Sequence, residues 1–76
     1  MDVKILGTGC PKCKQLEANT REAVKALGSE ATVEKVSELV KIMEYGVMMT
    51  PALVVDGEVK SSGKVLSVAQ IQEMLG

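Results

Sequence analysis

Gly7-Thr8-Gly9-Cys10-Pro11-Lys12-Cys13-Lys14 is the stretch whose reading decides the fold. Before it, Val3 to Leu6 is a short apolar-rich run that reads as a strand, and the glycines open a loop. From Pro11 to Leu27 the chain has helix composition. Cys13, Leu16, Ala23, Val24 and Leu27 share one stripe, with Thr20 filling the gap at helical spacing. Gly28 follows as a C-terminal stop. A strand, a glycine loop and a helix whose first turn carries both cysteines therefore open the chain.

Outward from that unit, residues Ala31 to Val36 alternate imperfectly and predict a second strand, with Ala31, Val33 and Lys35 on one face. Ser37 is expected as the N-cap of a second helix, with Glu38 in its first turn and Leu39, Ile42 and Met43 as its stripe, ending at Gly46. Pro51 to Val55 is a β-rich run, Asp56-Gly57 is a hairpin turn signal, and Glu58 to Ser61 returns. Ser67 and Gln70 form a capping-box pair, Leu66 can staple to Ile71, and a last helix spans Val68 to Leu75. The order β-α-β-α-β-β-α predicts an α/β fold. Strands joined through a helix run parallel and strands joined by a tight turn run antiparallel, giving a mixed four-stranded sheet with three helices on both faces.

The chain has 76 residues, which predicts a single domain over 1–76 with one modest core. Hydrophobic residues at 46% and charged residues at 25% fit a folded domain rather than a disordered tail. There is no Phe or Trp and one Tyr, so aliphatic side chains and five Met must fill the interior. A net charge of −1, with neither a basic stripe nor an aromatic platform, argues against nucleic-acid binding. The apolar run at the N-terminus is too short for a signal peptide, and no run reaches the roughly 20 residues that span a bilayer. The expectation is a cytoplasmic monomer without membrane contact.

Both cysteines lie in one motif. A disulfide between Cys10 and Cys13 closes so small a loop that it restrains the unfolded chain little, so the pair reads as redox-active or metal-binding rather than as a staple. With Pro11 at the first helical position, Cys10 is expected at the N-cap or just before it, facing the free N–H groups and the positive end of the helix dipole. Lys12 and Lys14 add positive charge nearby. These features favour a Cys10 thiolate, the nucleophilic form. Cys13, one turn on and in the apolar stripe, stays protonated and resolves the mixed disulfide by attacking the Cys10 sulfur. Catalytic candidates are thus Cys10 and Cys13, with Pro11 and Lys12 modulating them. No cofactor is called for. The rival is a soft-metal module for Cu(I) or Zn on the same pair, with Met48 and Met49 as added ligands. Such Met more often pack, and without His or a third Cys one chain lacks a Cys/His set for a structural Zn.

This arrangement resembles the thioredoxin/glutaredoxin fold in a minimal form, closest to the small archaeal and bacterial redox-active disulfide proteins. The resemblance rests on Gly7 to Cys13, on Thr50-Pro51 ahead of the third strand, and on the Asp56-Gly57 hairpin, and it spans essentially the whole chain. It implies a thiol–disulfide oxidoreductase acting on a protein or small-molecule disulfide, regenerated by a reductase that the sequence does not name. It also implies that Pro51 follows a cis bond and lies against the active disulfide, and that the Thr50 backbone pairs with an extended substrate segment. There are departures. Gly9 stands where thioredoxins carry Trp, and no counterpart of their buried acidic residue is evident. Ser61-Ser62-Gly63-Lys64 replaces the Gly-Gly and acidic pair of glutathione-binding glutaredoxins, which points away from glutathione as electron donor.

Overall fold

The computed structural model describes residues 1–28 and 30–75. Its elements run β1 (Asp2–Leu6), α1 (Pro11–Leu27), β2 (Thr32–Val36), α2 (Leu39–Glu44), β3 (Ala52–Val55), β4 (Glu58–Ser62) and α3 (Val68–Leu75). The sheet order is β2-β1-β3-β4. Strand β1 pairs parallel with β2 and antiparallel with β3, and β3 pairs antiparallel with β4. The expected order and the mixed four-stranded sheet are both present. The hairpin closes through Asp56 (φ 50°) and Gly57 (φ 81°), the two left-handed positions that a two-residue turn of this kind demands.

The period of two along β1 and β3 divides the interior into two layers. Val3, Ile5, Leu53 and Val55 point to one face, where Leu16 and Ala23 of α1 and Ile71 of α3 cover them. Leu6, Ala52 and Val54 point to the other, where Ile42 of α2 and Val47 meet them, with Tyr45 half-buried alongside. Helices thus cover both faces. All four residues of β3 are buried, as expected of a central strand packed on both sides. On the α2 side the Lys4 ammonium donates to the Tyr45 hydroxyl at 3.4 Å, and this hydrogen bond, aided by Coulomb attraction, holds the Lys4 pKa above its ordinary value.

Most local signals are realised. The Ser67 amide donates to Gln70 Oε1 at 2.9 Å and the Gln70 amide to Ser67 Oγ at 3.2 Å, while Leu66 and Ile71 bury together. Gly28 caps α1 in the left-handed region, with its N–H on the Lys25 and Val24 carbonyls. Thr20, buried in the α1 stripe, satisfies its hydroxyl on the Leu16 carbonyl at 2.7 Å.

Three details differ. Leu27 ends α1 exposed, because the stripe runs off the edge of the sheet there. The N-cap of α2 is Glu38, still extended and without a side-chain cap bond, so Ser37 lies one residue too early to reach the helix amides. Finally, α2 has six residues and buries Ile42 alone, leaving Leu39 and Met43 facing outward. A helix that short touches the sheet through one residue, and its other apolar positions overhang.

The capping box is the cleanest test of this local reading. Ser67→Ala should lower unfolding free energy in urea by about 1 kcal/mol with an unchanged m-value.

Candidate active site

Where β1 ends, the chain is pinned from its neighbours. The Gly7 N–H donates to the Val36 carbonyl at 2.9 Å, and Leu6 pairs with both Val36 and Ala52. Gly9 then turns the chain at φ 96°, a conformation that side chains resist. This delivers Cys10 in an extended conformation as the N-cap of α1, with Pro11 in the first turn. The Cys13 amide donates to Cys10 Sγ at 3.3 Å, and the Lys14 amide donates to the Cys10 carbonyl at 3.0 Å. The sulfur therefore accepts the bond that a Ser or Asp oxygen would accept at an ordinary cap.

Cys10 and Cys13 are joined as a disulfide, with Cα atoms 5.1 Å apart. Their surroundings differ. Cys10 is partly exposed, whereas Cys13 is 2% exposed and belongs to the buried stripe of α1. Lys12 projects into solvent, and the first turn of α1 holds no acidic residue to offset the helix dipole. Among the described residues Thr20 is the only polar or charged residue buried as a whole, so no buried carboxylate accompanies Cys13.

Leu6 lies opposite Ala52 in the antiparallel pair, so the loop leaving β1 and the segment entering β3 occupy the same end of the sheet. That register brings Thr50-Pro51 to the cysteine loop. The Thr50-Pro51 bond is cis; Pro51 is buried and Thr50 exposed. The Pro51 carbonyl accepts from the Gly63 N–H at 2.8 Å, which ties the turn after β4 to the proline. Beside the loop opens a groove of about 510 Å³ whose lining includes Thr8, Leu39, Met43, Val47, Met48 and Thr50.

Sequence reasoning missed this groove. Met48 and Met49 were expected to pack, but Met48 is 98% exposed and Met49 64%, Met49 lying over Gly63. The missed signal was density: Leu39, Val40, Met43, Met48 and Met49 exceed what one six-residue helix can bury. Exposed apolar residues clustered at one end of a domain mark a contact surface.

A family model for the thioredoxin domain matches residues 1–76. The chain belongs to the thioredoxin family. It is 48% identical over 75 residues to a thioredoxin of Methanothermobacter thermautotrophicus, covering 99% of this chain and 97% of the relative. It is also 41% identical over 73 residues to a thioredoxin of Methanocaldococcus jannaschii, covering 96% and 84% respectively. A probable thioredoxin of M. thermautotrophicus shares 37% identity over 57 residues, covering 71% and 67%.

With the Cys10–Cys13 pair in place, the activity follows: the chain is a thiol–disulfide oxidoreductase. The metal-binding alternative is not supported, since the matching family and relatives are thioredoxins, which use such a pair for thiol–disulfide exchange. None of the described helices is long and apolar enough to cross a membrane.

The difference in exposure has a direct readout. In the reduced chain, iodoacetamide at pH 7 should alkylate Cys10 at least about tenfold faster than Cys13, as peptide mapping would show. Equal labelling would mean that the helix terminus and the burial of Cys13 do not separate the two thiols.

Proposed function

We propose that the chain acts as one domain over 1–76 in which Cys10 attacks a substrate disulfide and Cys13 resolves the intermediate. The observation that carries this reading is the asymmetry of the pair. Cys10 Sγ accepts from a backbone amide at the start of α1 and the residue is partly exposed, while Cys13 is enclosed. Amides and dipole stabilise negative charge on Cys10, and the apolar stripe holds Cys13 as a thiol until it is needed.

The chemistry balances in two exchanges. The Cys10 thiolate attacks one sulfur of the substrate disulfide, a Cys10–substrate bond forms, and the first substrate thiolate leaves. The Cys13 thiolate then attacks Cys10 Sγ. The Cys10–Cys13 bond forms, the second substrate thiolate leaves, and the substrate has gained two electrons and two protons. With no buried carboxylate beside it, Cys13 passes its proton to solvent or to the departing thiolate. Pro11 and Lys12 modulate Cys10, the one by fixing the first turn of α1 and the other by its positive charge.

Thr50 and Pro51 form the substrate clamp. Thr50 is exposed, its backbone pairs with an extended segment, and Pro51, held by Gly63, keeps that segment against the disulfide. The groove bounded by Leu39, Met43 and Met48 continues the clamp with an apolar wall, which suits a polypeptide better than a charged small thiol such as glutathione. Family members act on protein disulfides and depend on a reductase. The reductase serving this chain is unidentified, and the working form is a cytoplasmic monomer.

Insulin reduction tests the roles. Cys10→Ser should abolish it, whereas Cys13→Ser should carry out the first attack and stall as a covalent mixed disulfide detectable by intact mass. Trapping by Cys10→Ser instead would reverse the assignment.

A further inference from the structure

Gly7 is buried and is not among the glycines with positive φ, so a left-handed backbone is not what calls for glycine there. The reason for glycine lies in what faces it. A Cβ built on Gly7 would sit 2.9 Å from Cys13 Cβ and overlap Cys13 Sγ. The sulfur could turn about χ1, but the position of Cys13 Cβ is set by the helix backbone. No rotamer of Cys13 therefore makes room, and α1 itself would have to move. Gly7 cannot retreat either. Its N–H is held by Val36, and Leu6 before it is paired on both sides within the sheet.

We propose that Gly7 is a positioning residue for the second exchange: the bare backbone at the end of β1 is the seat of the Cys13 sulfur. Contact between strand end and helix sets how far the first turn of α1 stands from the sheet, and so holds Cys13 Sγ within reach of Cys10 Sγ. The inference rests on Cys13 being the resolving thiol. Alanine at position 7 lifts this turn and turns Cys13 away from its target. Cys10, further out on the loop and capping the helix with its own sulfur, keeps its access to substrate. The second exchange therefore slows more than the first. An added methyl in a close-packed site carries a typical penalty of one to three kcal/mol, equivalent to roughly tenfold or more in rate if it falls on one step.

The experiment follows the reduced chain reacting with 5,5′-dithiobis(2-nitrobenzoate), which releases one coloured thiolate when Cys10 attacks and a second when Cys13 resolves. In Gly7→Ala the first release should slow less than about threefold and the second about tenfold or more. Unchanged rates, or equal slowing of both, would overturn the proposal. If Gly7→Ala does not fold, adding Cys13→Gly, which removes both clashing atoms, should restore a cooperative thermal transition. A double variant that stays unfolded would overturn it too. A wrong assignment of Cys13 shows separately, since in the otherwise unaltered chain Cys10→Ser, rather than Cys13→Ser, would then keep the fast release of a single thiolate.

Discussion

A sulfur atom takes the place of the capping oxygen at the start of α1, and the site is organised around that substitution. The first amides of any helix lack partners within the helix. Here the Cys13 amide finds one in Cys10 Sγ, so the contact that caps the helix falls on the sulfur proposed as the nucleophile. The disulfide joins the same two residues that the cap already brings together. The sheet matters because it anchors this junction. Gly7 is tied to β2, Leu6 to β2 and β3, and the left-handed turn at Gly9 aims the chain into the helix.

The remainder of the fold supplies what a bare cysteine pair lacks. Antiparallel pairing of β1 with β3 places Thr50-Pro51 at the cysteine end of the sheet, and the bond from Gly63 to Pro51 adds the end of the hairpin to the same surface. On the α2 side, a helix too short to bury its apolar residues leaves them beside the loop. In the opposite layer α1 and α3 cover Val3, Ile5 and Leu53.

Sequence reading was strongest where a signal is local. The bounds of α1, the capping box at Ser67, the hairpin at Asp56-Gly57 and the N-cap position of Cys10 each depend on residues a few positions apart, and each is present as expected. It failed where the outcome depends on what a distant element covers. Leu27, Leu39 and Met43 have the spacing of core residues, yet the sheet does not extend beneath them. Met48 and Met49 read as packing because nothing nearby in sequence shows how little of the fold covers them. Gly7 read as loop punctuation, although its φ is ordinary and its partner is Cys13 on the next element. Pattern identifies an apolar stripe; only the assembled sheet decides how much of it is covered.

The account treats Cys10 and Cys13 as one reversible two-electron couple, and its most direct test is a redox titration of the full chain. The protein would be equilibrated in dithiothreitol buffers, quenched with an alkylating agent and read by intact mass. The account predicts that both thiols appear together in a single two-electron transition. Its midpoint should lie in the range of roughly −270 to −120 mV spanned by oxidoreductases with paired cysteines. Separate titration of the two thiols, or a midpoint below about −300 mV as for an inert structural disulfide, would contradict it.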